Sequence, residues 1–232
     1  MDKKTEEEKR VSNRETMKNA LRESRLVVIA RGMEAAKMID VAEALYSGGV
    51  RVLECTFDHW REDCVAANQR LISALVSRFE GRMQIGAGTV LSDAEAEAAV
   101  DAGAGFIISP GADEAVIRAT RRLGAVSIPG AYTPTEIVAA WNAGADFVKL
   151  FPAGDMGPGY IKAIRAPLAH IPMLAVGSVT RENIPLLLKS GVCGFGIGGS
   201  LLSKALIDAG DYEAIRLRAQ EYSRLVRGES AC

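Results

Sequence analysis

The sequence has no uninterrupted apolar stretch approaching the roughly 20 residues that span a bilayer, and its N-terminus has no hydrophobic signal core. Membrane insertion and export are not predicted, and the expected location is the cytoplasm. There is no excess of either charge: 28 Lys and Arg face 29 Asp and Glu, a formal net of −1. Nucleic acid and anionic membranes are held by a basic surface, so neither is an expected partner; a local anion site for a small molecule stays open. No CxxC pair is present, and Cys55, Cys64, Cys193 and Cys232 have no zinc-like spacing with His59 or His170. They are predicted to be reduced thiols, with Cys55 and Cys193 in strands. Asp58, His59 and Cys64 can be drawn as a metal cluster, but a solvated strand-to-helix loop is the better reading, and no metal is expected. No GxGxxG opens a first helix, which argues against an open doubly wound sheet.

What is there is a chain of 232 residues, 48% hydrophobic and 25% charged, enough for one α/β barrel or two small domains; one is favoured. Residues 1–20 form a charged extension with no apolar face before Met17, Ala20 and Leu21, predicted as a frayed end running into a surface helix. From residue 21 to 232 a single barrel domain is predicted, with a C-terminal helix over 212–226 whose docking surface is not legible. Apolar runs of strand length occur at 26–30, 50–56, 83–87, 105–109, 125–128, 146–150, 173–176 and 193–197. Helical stretches separate them, the first with Ala35, Met38, Ile39, Ala42 and Leu45 at three-to-four spacing. Glycine recurs where helix gives way to strand, as at Gly48-Gly49, Gly103, Gly144 and Gly191, with Gly81 and Gly124 in similar places. A β/α unit closed eight times is a (β/α)8 TIM barrel, here with an extra N-terminal helix.

On that fold, chemistry collects where strands end. Those ends carry Arg31, Glu54 with Thr56, Gly88-Thr89, Ser109-Pro110, Pro129-Gly130, Lys149, Gly177-Ser178 and Gly198-Gly199-Ser200. Lys149 is the centre of interest, because it lies inside the apolar run Phe147-Val148-Lys149-Leu150-Phe151. Desolvation lowers an amine's pKa from about 10.4 and leaves more of it as free base, a carbonyl nucleophile. On residue type alone, a strand-end lysine with its head in water is commoner. The glycine turns after strands seven and eight can aim N–H groups at a phosphate, Gly177-Ser178 with Thr180 and Asn183, and Gly198-Gly199-Ser200 by opening a helix.

Val52-Leu53-Glu54-Cys55-Thr56, Ile85 to Leu91, Ile108-Ser109-Pro110-Gly111, Ser127-Ile128-Pro129-Gly130 and Val148 to Ala153 resemble, in order and spacing, the class I aldolases of 2-keto-3-deoxy-6-phosphogluconate and 4-hydroxy-2-oxoglutarate. The resemblance covers about residues 25–207. It implies a homotrimeric barrel that forms a Schiff base with pyruvate and uses no metal or organic cofactor. It also implies roles: Lys149 as the imine-forming amine, Glu54 as general acid/base, and Thr89 and Arg31 on the substrate's anionic groups. Pro129 and Phe151 would wall the pocket, and Gly177, Ser178, Gly198, Gly199 and Ser200 would form the phosphate end. Phe57-Asp58-His59 stands where phosphogluconate enzymes continue into a carboxylate-binding arginine. The segments 156–162 and 175–180 resemble the phosphogalactonate branch more. Asp58 and His59 could contact sugar hydroxyls or lie outside the pocket. Two other functions stay open: a phosphate-binding barrel isomerase, which needs no imine lysine, and a non-catalytic oligomeric barrel, in which a carboxylate would pair Lys149 tightly in a closed pocket.

Overall fold

The computed structural model describes residues 3–229; Met1, Asp2 and Cys232, which the sequence assigns to the charged extension and to a reduced thiol, lie outside them. After α1 (Lys3–Ser24) the chain alternates β1 (Leu26–Ala30), α2 (Ala35–Ser47), β2 (Val52–Thr56), α3 (Cys64–Phe79), β3 (Gln84–Gly88), α4 (Asp93–Asp101), β4 (Phe106–Ile108) and α5 (Glu114–Arg122). It continues through β5 (Val126–Ile128), β6 (Gly130–Ala131), α6 (Pro134–Ala143), β7 (Val148–Leu150), α7 (Ala153–Arg165), β8 (Met173–Val176), α8 (Ile184–Lys189), β9 (Gly194–Ile197), α9 (Lys204–Ala209) and α10 (Tyr212–Leu225). Among the described residues no helix is long and apolar enough to cross a membrane.

The strands pair in parallel in the order β5-β4-β3-β2-β1-β9-β8-β7-β6. The described residues hold nine strands where eight were expected, and proline is the reason. Pro129 has no N–H to give a ladder, so it separates β5, paired with β4, from β6, paired with β7. Its carbonyl still accepts the Lys149 N–H at 2.8 Å, and the Ser127 carbonyl accepts those of Asp146 and Phe147 at 2.9 and 3.3 Å. β5 and β6 are two pieces of one barrel strand, and the sheet is that of a (β/α)8 barrel.

Several strands begin later than the apolar runs suggest, because the preceding helix uses the first residues to finish itself. Val50, Ala104, Ala125 and Ala145 each return their N–H to a carbonyl five residues back, at 3.0 to 3.1 Å. The intervening Gly49, Gly103, Gly124 and Gly144 all have positive φ. This is the Schellman closure, in which only glycine adopts the left-handed position without strain.

Side chains alternate between two cores, as the strand period requires. One, between sheet and helices, includes Val28, Leu53, Cys55 and Leu150. The other fills the barrel with Val27, Val52, Phe106, Val126, Phe147 and Leu174. Space inside comes from strands that present no side chain there: a Cβ at Gly86 would lie 2.4 Å from the Phe106 ring, and one at Gly196 would lie 2.8 Å from Val176.

The two terminal helices make contacts that the sequence left open. α1 is a surface helix docked along one side: most of its described side chains are exposed, while Met17 and Leu21 are buried in the barrel's inner core. Arg14 Nε donates to Asp146 Oδ2 at 3.0 Å, and that carboxylate oxygen also accepts the Ser127 N–H at 3.0 Å, so α1 is pinned across the bottom of the barrel. The docking surface of α10 is α2: a Cβ on Gly48 would lie 2.5 Å from Ala219 of α10.

Candidate active site

Two buried ionisable side chains, Glu54 and Lys149, lie on β2 and β7. On β2, Val52 points into the apolar floor and Glu54, two residues on, rises above it; Phe147, just before β7, lies in the floor and Lys149, in β7, above it. Both are buried, Glu54 at 2% and Lys149 at 7% exposure. A Cβ on Gly88 would come within 1.6 Å of Glu54 Oε1, so the carboxylate occupies the place a side chain on β3 would take. Thr56 Oγ1 donates to Glu54 Oε1 at a long 3.4 Å, and Oε2 is buried with no hydrogen-bond partner.

Burial governs the charge on both groups. It pushes Glu54 above the ordinary carboxylate range, opposed by the Lys149 and Arg31 charges and by Thr56. It pulls Lys149 below the ordinary lysine range, with Glu54 opposing and Arg31 reinforcing. Among the described residues no carboxylate approaches Lys149 within 4.0 Å. Its Nζ lies 4.7 Å from the centre of the Phe151 ring. The tight carboxylate pairing expected of a purely structural lysine is not found, and the pocket is open.

That pocket is a cavity of about 650 Å³. Arg31, Glu54, Thr89, Lys149, Phe151, Gly177, Ser178, Gly198, Gly199 and Ser200, picked from the sequence, all line it. Pro129 does not: it is buried, and its link to Lys149 is the backbone hydrogen bond, while Pro110 lines the cavity. Asp58 faces a separate cavity of about 190 Å³ with Arg61. His59 Nε2 lies 3.0 Å from Glu95 Oε1, turned to the start of α4. The helix expected directly after Gly198-Gly199-Ser200 starts later. Leu201 and Leu202 first turn back onto the Gly198 carbonyl, and α9 begins at Lys204.

The family model for KDPG and KHG aldolases matches residues 17–217. This chain belongs to that family. It is 36% identical over 195 residues, 84% of this chain and 87% of the other, to a Rhizobium meliloti (strain 1021) protein named "Probable 2-dehydro-3-deoxy-6-phosphogalactonate aldolase". It is 35% identical over 199 residues to the KHG/KDPG aldolase of Escherichia coli (strain K12), covering 84% and 88% of the two chains. The Legionella pneumophila KDPG aldolase, solved with pyruvate captured as a covalent carbinolamine, superposes with a TM-score of 0.78 at 25% identity over 88% of this chain and 96% of that one. A designed protein cage made by fusing symmetric oligomeric domains superposes at 0.77, with 29% identity over 88% of this chain and 72% of that one. The chain is thus an aldolase, of the aldehyde-lyase class.

In this aldolase the sequence did not disclose how the far end of the cavity is wired. Ser178 Oγ donates to Asp155 Oδ2 at 2.9 Å, Ser200 Oγ donates to the Val179 carbonyl at 2.8 Å, and the Thr180 N–H is taken by Asn183 Oδ1 at 2.8 Å. Nor did it show that Thr89 and Ser178 take positive φ, +56° and +51°, a conformation costly for residues with a side chain and frequent at functional sites. The Ser178 and Ser200 hydroxyls are bonded to residues of α7 and of the segment after β8, which strand-end position does not indicate.

Proposed function

We propose that this protein is a class I aldolase that reversibly cleaves a 2-keto-3-deoxy-6-phospho-sugar acid, or 4-hydroxy-2-oxoglutarate, to pyruvate and an aldehyde. The aldehyde is glyceraldehyde 3-phosphate or glyoxylate. The observation that carries this is Lys149, buried without a carboxylate partner and facing a cavity that also holds Glu54. The Lys149 amine attacks the C2 ketone, and loss of water gives an iminium ion that draws electrons from C3. Glu54 as carboxylate takes the proton of the C4 hydroxyl, the C3–C4 pair moves into the iminium as an enamine, and the aldehyde leaves. Glu54 then returns its proton to the enamine carbon, and water releases pyruvate. Thr89 and Arg31 hold the substrate's anionic groups, Phe151 screens the amine from water, and the loops at Gly177-Ser178 and Gly198 to Ser200 receive the distal end. We place the enzyme in the cytoplasm as a homotrimer, following the family resemblance; residues 21–232 form its catalytic domain and 1–20 an extension.

The test is incubation with pyruvate and borohydride, followed by peptide mapping. A reduced pyruvyl adduct on Lys149 is expected; a folded sample without one would shift the assignment to a phosphate-binding isomerase or to a non-catalytic barrel. The pH dependence follows from burial. The free-amine fraction of Lys149 rises with pH through a midpoint below the ordinary value of about 10.4. Competitive acetylation of the protein across a pH series should therefore place the Lys149 midpoint below that value, and a midpoint at or above it would contradict the effect of burial.

A further inference from the structure

Thr89 lines the cavity at φ +56°, in the left-handed region that a β-branched residue seldom enters. The turn that carries it is fixed at three points. The Gly88 carbonyl accepts the Phe57 N–H at 2.8 Å, and the Val90 N–H donates to the Ile108 carbonyl at 3.2 Å. The third bond is to a side chain: the Leu91 N–H donates to Glu95 Oε2 at 2.7 Å. Glu95 Oε1 lies 3.0 Å from His59 Nε2, so one carboxylate, its side chain only 15% exposed, ties the loop after β2 to the loop after β3. A helix cap alone does not require this arrangement. At the start of α6, Glu136 Oε2 accepts the N–H of the N-cap residue Thr133 and that of Tyr132, both at 2.8 Å, in a complete capping box. At α4 the N-cap Ser92 Oγ accepts the Glu95 N–H at 3.2 Å, but no bond is found from the Ser92 N–H to the Glu95 carboxylate, which reaches past it to Leu91 and His59.

We infer that Glu95 is a positioning residue, which holds the Thr89 hydroxyl where it meets the pyruvate carboxylate, with His59 as its anchor on the neighbouring loop. This rests on the aldolase reading, in which Thr89 and Arg31 hold the substrate's anionic groups. Without the Glu95 carboxylate the Leu91 N–H turns to water, and Thr89 relaxes towards the extended backbone that its branched side chain favours. The hydroxyl then leaves the carboxylate. That carboxylate keeps its charge from the bound keto acid to the enamine, so its hydrogen bond is worth the same before and during reaction. Losing it weakens binding and leaves the chemical step unchanged. His59, which does not line the cavity, acts on the site through Glu95.

The experiment follows exchange of pyruvate methyl protons in deuterated buffer, which gives KM and kcat with pyruvate alone. The parent is compared with Glu95→Ala, Glu95→Gln, Thr89→Ala and the double variant Glu95→Ala/Thr89→Ala. Glu95→Ala is expected to raise KM about tenfold, the order of one hydrogen bond to a charged group, with kcat close to the parent value. Glu95→Gln, whose amide oxygen can still accept the Leu91 N–H, should stay near the parent. Because the effect runs through the Thr89 hydroxyl, Glu95→Ala should add less than about twofold to KM once Thr89→Ala is present. An unchanged KM in Glu95→Ala, as large a rise in Glu95→Gln, or the same rise with and without Thr89→Ala overturns the assignment. If Glu95→Ala does not fold, His59→Ala, which leaves the bond to Leu91 in place, carries the test: KM should rise about threefold, the scale of a partly exposed pair, and an unchanged KM overturns it. Borohydride trapping reads the lysine chemistry separately. A parent that forms no Lys149 adduct with pyruvate loses the aldolase reading, whereas adducts in every variant with KM unchanged remove only the role of Glu95.

Discussion

A Lys149→Met variant is expected to lose aldol cleavage by about 10⁴-fold or more, the scale of removing a covalent nucleophile, and to melt at a higher temperature than the parent. The two effects share one cause. Burial holds Lys149 below the ordinary lysine range even with the Glu54 charge nearby, so the folded state resists its protonation. Below about 10.4 an unfolded chain carries that proton freely, and the mismatch counts against folding. Methionine fills a similar volume without charge and relieves it. In a chain of this size each kcal/mol relieved raises the midpoint by about 2–4 °C. The gain should fade as pH rises towards the ordinary lysine value and vanish above it, where the parent lysine is neutral in both states. Calorimetry across pH and a coupled pyruvate assay check both halves. Near-parental turnover in a folded variant would remove Lys149 from the mechanism, and a lower midpoint at neutral pH would mean that packing or pairing at Lys149 outweighs its desolvation.

The barrel was legible because its signals are local. Apolar runs of strand length, helical spacing in segments such as α2, and glycines at Schellman positions are each set by a few neighbouring residues. The lysine and the carboxylate were legible because strand ends face one rim, so position in the unit implied position in the site. What the sequence concealed depends on contacts between distant segments. Met17 and Leu21 read as the weak apolar edge of a charged helix, yet they close the barrel floor, because Arg14 finds Asp146 132 residues away. Pro129 read as a wall of the pocket, but its missing N–H makes it a break in the fifth strand, and its carbonyl supports Lys149 from behind. The glycine turns read as carriers of backbone N–H donors, and their serine hydroxyls had no assigned partner. Their protons go to Asp155 and to Val179, and nothing in the spacing of Gly177-Ser178 or Gly199-Ser200 announces that.

Glu54→Gln separates the two chemical roles in the site. Imine formation needs the amine, and removing the Glu54 charge lowers the Lys149 pKa further, since that charge is what favours the ammonium form. The variant is therefore expected to reach the parental extent of pyruvate adduct at long incubation with borohydride. Exchange of the pyruvate methyl protons with solvent requires a base to move them, and glutamine has none. That rate, followed by NMR in deuterated buffer, should fall by about 10²–10⁴-fold, the usual worth of a positioned acid/base. Stability provides an independent sign. The Glu54 carboxyl titrates above the ordinary value of about 4.3, so its charged form is penalised in the folded state and its neutral form is not. The glutamine variant should thus be the more stable at neutral pH, with the advantage shrinking as pH falls through the raised folded-state value and gone below the ordinary one. Exchange at the parental rate would mean another group moves the proton. Thr56 and Arg31 are the other polar groups that act on Glu54, and neither is a base at neutral pH, so that outcome would point to water admitted through the mouth beside Phe151.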